Sequence, residues 1–124
     1  MNLIIAGSRT FNDYKLLEQE CKKFIVKIGY LPNNIVSGEC RGADKLGELF
    51  AEKYKIPIMK FPANWDKYGK QAGMIRNVEM AKNASHCIIF WDGKSLGSKH
   101  MIEQCEKYFV TYKIVNYEKI HESG

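Results

Sequence analysis

No stretch of the sequence approaches the run of about 18 apolar residues that a membrane-spanning helix needs. The opening MNLIIAG is too short for a signal peptide and has no basic flank, so it reads as a first buried strand. A cytoplasmic protein without a membrane partner is therefore expected. The four cysteines, Cys21, Cys40, Cys87 and Cys105, are far apart and form no CxxC; adjacent His86 and Cys87 are the nearest approach to a zinc-ligand pair. Neither a disulfide framework nor a metal centre is supported, and the thiols read as buried or spectator groups. No cofactor is expected. Nothing arranges His86, His100 and His121 into a catalytic triad, and His100 reads as a helix-surface residue.

A basic block is also missing. The net charge of +5 comes from 19 basic and 14 acidic residues, but the lysines are scattered, which gives only a weak preference for anionic partners. Arginine is scarce. Arg9, Arg41 and Arg76 each stand in or beside a glycine-containing segment, and the planar guanidinium fork suits phosphate. No linker, repeat or low-complexity segment divides the 124 residues. A chain of this length forms one domain and can bury about two thirds of its unfolded surface in one core. That domain is expected over residues 1–117, with the tail EKIHESG (118–124) fraying.

What is present is an alternation. Five short apolar runs, LIIAG (3–7), NIVSG (34–38), IPIMKF (56–61), HCIIFW (86–91) and YKIVNY (112–117), have the near-continuous hydrophobicity of strands buried on both faces. Between them, residues 13–28, 43–55, 68–82 and 98–108 are long enough for helices. In the first of these, Leu16, Leu17, Cys21, Phe24, Ile25 and Ile28 make a stripe of period 3.6. The pattern predicts an α/β fold, a doubly wound parallel sheet of about five strands flanked by helices. Ligands of such sheets bind beyond the carboxyl ends of the strands, where strand order reverses.

The glycine-rich segments fall at those ends. Gly7, Ser8, Arg9 and Thr10 follow the first strand, and their amides with Arg9 suit a phosphate or sugar. A tight turn with Asn12 or Asp13 capping the first helix accounts for the same residues. After the second strand, Ser37, Gly38, Arg41, Gly42 and Asp44 precede a helix whose free amides make an anion site, although Asp44 equally serves as cap or dipole partner. After the fourth, Asp92, Gly93, Ser95, Gly97 and Ser98 lack a Walker lysine pattern, but Gly97 and Ser98 should open a helix toward the same crevice. In residues 61–80, Trp65 and Tyr68 suit base stacking or hydrophobic cover, while Arg76, Asn77 and Glu79 form a polar cluster. Gly69 and Gly73 would be costly in a plain helix. Met74, Met80 and Met101 read as core filling.

Taken in order, GSRTF, SGECRGAD, FPANW with YGKQAGMIRNVEM, and FWDGKSLGSKH resemble the YspA-like, YpsA-related branch of the SLOG superfamily, which includes the Smf/DprA DNA-processing proteins and the lonely-guy phosphoribohydrolases. The resemblance runs from about Met1 to Tyr117 and implies a Rossmann-like fold and a nucleotide-derived ligand. Lonely-guy enzymes cut the base from nucleoside monophosphates with an arginine and a glutamate. MIRNVEM maps Arg76 onto that arginine and puts Asn77 where a lysine is usual; in DGKSLGSKHM the glutamate position is Met101. Glu103 would be turned about 200° away on a helix, which leaves Glu79 as the candidate carboxylate. The leading expectation is a pocket that senses or sequesters a nucleotide or ADP-ribose-like molecule. One alternative is N-glycosidic hydrolysis with Arg76 and Glu79 as catalytic residues; another is a DNA-binding accessory module. The resemblance also implies a homo-oligomer paired through helices. Nothing in the residues separates a cellular from a phage origin.

Overall fold

Strand and helix alternate as the periodicity predicts. The computed structural model describes residues 1–117, so the expected tail lies outside the described residues. The elements are β1 (Asn2–Gly7), α1 (Tyr14–Ile28), β2 (Asn34–Ser37), α2 (Ala43–Lys53), β3 (Ile58–Lys60), α3 (Trp65–Tyr68), a single 3₁₀ turn (Gly69–Gln71), α4 (Ala72–Lys82), β4 (His86–Trp91), α5 (Leu96–Lys107) and β5 (Thr111–Asn116). All four strand pairings are parallel, in the order β3-β2-β1-β4-β5. The chain winds outward from β1 through β2 to β3, then returns to the other side of β1 for β4 and β5. Strand order therefore reverses between β1 and β4, and the crevice belongs at their carboxyl ends.

The period-2 alternation of β1 sorts the core into two layers. Leu3 and Ile5 pack with Leu17, Cys21 and Phe24 of α1 and Phe50 of α2, whereas Ile4 and Ala6 face Met80 of α4 and Met101 and Cys105 of α5. Residues Leu3 to Ala6 of β1 and Cys87 to Phe90 of β4 are buried, as continuous apolar runs require. Phe50 and Phe90 are among the largest fully buried side chains, each contributing about 1.5–3 kcal/mol by leaving water. Among the described residues, no helix is long and apolar enough to cross a membrane.

Local chemistry sets the boundaries. Asp13 caps α1 through Oδ1, which accepts from the Leu16 amide at 3.1 Å, and Gly29 ends it in the left-handed region. The predicted strand 56–61 shortens to Ile58–Lys60 at the sheet edge, although Pro57 and Phe61 still bond to β2. The predicted helix 68–82 is split by Gly69, whose φ of 58° and ψ of −135° are not helical. Met80 and Met101 are core residues, but Met74 is 52% exposed. Six residues before Met80, it lies about 120° around the helix from the core-facing stripe.

Candidate functional site

β1 and β4 end side by side, with Gly7 registered against Phe90. A Cβ on Gly7 would stand 2.2 Å from the Phe90 carbonyl oxygen and 2.9 Å from the Ala43 Cβ, so only glycine lets the two strands and α2 meet here. Ser8, 2% exposed, then ties three elements together. Its amide donates to the Phe90 carbonyl at 2.9 Å, its carbonyl accepts from the Ala43 amide at 3.3 Å, and its Oγ accepts from the Asp92 amide at 3.1 Å. Gly42 completes the junction. It has φ of 82°, and its Cβ would lie 2.4 Å from the Ser8 carbonyl oxygen.

Above this junction opens a crevice of about 360 Å³, within the size range of ligand pockets. Gly7 to Thr10 line it from β1, Asp44 from α2, Arg76 and Asn77 from α4, and Asp92, Ser95, Gly97 and Ser98 from the β4–α5 turn. The structure thus gathers most of the predicted residues into one place. Ser37, Gly38, Arg41, Gly42, Trp65, Gly93 and Glu79 are not on its walls. Glu79 is exposed and lines a separate groove with Lys60, Phe61 and Tyr68. Ser37 lies beneath the site, its Oγ donating to Glu48 Oε2 at 2.6 Å and accepting from the Glu39 amide at 3.1 Å.

The two basic and acidic groups of the crevice are held differently. Arg76 Nη1 donates to the Gly38 carbonyl at 2.8 Å and lies 3.3 Å from Cys40 Sγ, while its Nε donates to Asn77 Oδ1 at 3.2 Å. Asn77 Nδ2 in turn donates to the Gly97 carbonyl and to His100 Nδ1, both at 3.2 Å. The buried Asn77 amide is thereby satisfied by protein groups, and its action on a ligand runs through Arg76 and α5. His100, expected on the helix surface, is half-buried against it, and burial lowers its pKa.

Asp44 is not the cap of α2; Gly42 takes that position. Its Oδ2 accepts from the Cys40 amide at 3.2 Å. Burial pushes the Asp44 carboxyl up to about 6, against the Cys40 amide and Arg76, which favour its charged form. Asp92 behaves oppositely. Partial burial raises its pKa, but amides of Lys94 and Ser95, each 2.8 Å from Oδ1, outweigh that and hold it below its usual value.

Helix α5 begins at Leu96, capped by Ser95, so Leu96 and Gly97 have no upstream carbonyl for their amides. Ser98 follows in the first turn. It lines the crevice, is 4% exposed, and its Oγ has no hydrogen-bond partner among the described residues. A free buried hydroxyl beside free helix amides and an arginine is a set of donors suited to an anion.

Sequence reasoning missed Cys40, Met80, Met101 and Glu48. Met80 and Met101 floor the crevice, and each sits three residues after a predicted site residue, Asn77 and Ser98, on the same helix face. Cys40 is the thiol that is not buried; Cys21, Cys87 and Cys105 are 0% exposed. Iodoacetamide is therefore expected to label one thiol per native chain, and peptide mapping should place it at Cys40, with the other three reacting only in denaturant. Labelling of a second cysteine in the native protein would contradict this arrangement.

A model of the YspA, cpYpsA-related SLOG family matches residues 1–68. The chain is 33% identical over 111 residues to the Gene 61 protein of Mycobacterium phage D29, covering 85% of this chain and 88% of that protein. No solved structure matches.

Proposed function

The chain belongs to the YspA, cpYpsA-related SLOG family, and from that premise we propose that its crevice binds the phosphate of a nucleotide-derived small molecule and holds it rather than cutting it. The observation that carries this reading is the buried, unpartnered Ser98 Oγ at the first turn of α5, facing the cavity that Arg76 also lines. A phosphate oxygen would accept from that hydroxyl, from the Leu96 and Gly97 amides and from the guanidinium. Holding is favoured over cutting because Met101, at the position where lonely-guy enzymes carry their glutamate, offers no carboxylate, Glu79 lines the neighbouring groove, and the crevice acids Asp44 and Asp92 each accept from backbone amides of their own loops.

Calorimetry with AMP, GMP, CMP and UMP tests the reading, with Ser98→Ala as the decisive variant. Removing a hydroxyl that has no partner among the described residues should leave the thermal midpoint unchanged or slightly raised. Removing a donor to a charged phosphate should weaken binding about tenfold or more. If folded wild-type protein binds none of the four and no corresponding diphosphate, or if Ser98→Ala binds equally well, the reading is wrong. Free base released from the same panel, and lost in Glu79→Gln, would establish the hydrolase alternative instead.

A further inference from the structure

A second cavity of about 350 Å³ adjoins the crevice, lined by Arg9, Glu39, Cys40, Arg41 and Trp65. Arg9 and Cys40 line both cavities, so the two share a wall at the β1–α1 and β2–α2 loops. The chemistry of the second differs from that of the first. Glu39, its one acidic residue, has its carboxylate turned to Lys60 at 3.8 Å. Among the described residues the guanidinium groups of Arg9 and Arg41 make no hydrogen bond or ion pair. Arg9 feels the charge of Asp44 only at a distance, and Trp65, 50% exposed, lines the same cavity as both arginines. A ring of that size is left half in water on a four-residue helix, where the rest of it packs near Gly73.

We infer that the two cavities form one extended site whose ligand is a nucleotide with at least two phosphates, its base against Trp65 and its second phosphate at Arg9 and Arg41. The inference rests on the phosphate reading of the crevice and adds to it a second anionic centre and an aromatic one. One phosphate engages Ser98, the first turn of α5 and Arg76. A second, placed toward the shared wall, meets Arg9 and Arg41, whose planar forks match phosphate oxygens in pairs. The base then stacks on Trp65, an interaction that tolerates purine and pyrimidine rings alike and is strengthened by neighbouring guanidinium groups. A nucleoside diphosphate, free or carrying a further ribose, has these groups in this order; a monophosphate leaves two arginines unused.

The test compares AMP with ADP and ADP-ribose, and GMP with GDP, by calorimetry and tryptophan fluorescence on the full chain. The wild type should bind ADP or GDP, or ADP-ribose, at least about tenfold more tightly than the matching monophosphate, and binding should quench tryptophan emission. Trp65→Ala should weaken diphosphate binding by about 5- to 100-fold and abolish the quench, Trp91 being then the remaining tryptophan. Arg41→Ala, an exposed substitution that leaves the fold intact, should bring diphosphate and monophosphate affinities within about twofold of each other. If monophosphates and diphosphates bind equally, and neither variant alters binding while Ser98→Ala does, the extended site is refuted and the phosphate reading stands. If no probe binds the folded wild type, both fail together.

Discussion

Replacing Gly7 with alanine is expected to lower the free energy of unfolding by about 3–5 kcal/mol, a large share of the roughly 5–15 kcal/mol stability of a typical domain. The added Cβ would lie 2.2 Å from the Phe90 carbonyl oxygen, in a backbone conformation with φ of 155° that side chains rarely adopt. Overpacking of this kind costs roughly 1–3 kcal/mol and backbone strain a similar amount. Neither neighbour can yield cheaply. Phe90 belongs to β4, registered with Gly7, and its carbonyl accepts the Ser8 amide at 2.9 Å. Relief requires parting the two central strands at the mouth of the crevice. The variant should therefore lose ligand binding even at temperatures where it is folded. Gly97→Ala is the control: a Cβ there has nothing within 4 Å, and on α5 alanine should stabilise by up to about 1 kcal/mol. Urea unfolding of the two variants beside the wild type checks both, and equal stabilities would refute the close-approach argument.

Asp44→Asn should do the reverse and stabilise the protein at neutral pH. The folded carboxyl titrates at about 6 against an ordinary value of 3.8, so the unfolded chain loses this proton first as pH rises. The contribution of Asp44 to stability is thus fully present below about pH 4, falls between pH 4 and 6, and is lost above the folded value. At about 1.4 kcal/mol for each pH unit, the ionised carboxylate costs on the order of 3 kcal/mol at pH 8. Burial is the main cause; Glu48 adds repulsion, while the Cys40 amide, Arg76 and Arg9 offset part of it. Asparagine keeps an oxygen for the Cys40 amide and removes the charge. Thermal or urea unfolding should show the variant more stable at pH 8 and level with the wild type at pH 4. A constant difference across that range would mean that Asp44 does not titrate there. An acid that costs stability where it sits, on the wall of the crevice, is of the kind that clusters at functional sites, in keeping with the proposed binding role.

Much of this arrangement is legible in the sequence because both layers of the core write themselves as periodicity. HCIIFW appears as β4 at its full predicted length, since a strand buried on both faces has no polar interruption to blur its ends. The crevice is legible because three glycine-containing segments fall at the carboxyl ends of strands, where a doubly wound sheet opens its cleft, although each taken alone reads equally as a turn with a helix cap. What was hidden is the supporting chemistry. Glu48 reads as one more helix acid, yet it shares with Asp44, Gly47 and Ala51 the stripe that packs on the sheet, and all four are buried. A helical projection of α2 would have flagged two acids in an inward face. Arg76 and Asn77 were visible as a polar pair, but their partners, the Gly38 carbonyl and the Gly97 carbonyl, are backbone groups that any residue supplies. Of the two glycines marked as costly in a plain helix, Gly69 does break it, whereas Gly73 is accommodated inside α4; hydropathy alone does not tell the two apart.

The Ser8 junction also has a consequence for the order of events during synthesis. The hydroxyl of Ser8 and the amide of Asp92 that bonds to it are 84 positions apart, and β2, on one side of β1, is synthesised before β4, on the other. The half of the sheet from β1 to β3 leaves the ribosome with its crevice wall unbuilt and one side of β1 unpaired. Loop closure over such a separation is slow, and the open edge of β1 is an aggregation hazard until β4 arrives. The proposed ligand, if it needs Gly7 and Ser98 together, therefore meets a finished fold: it would retard unfolding, but would have nothing to grip in the nascent chain.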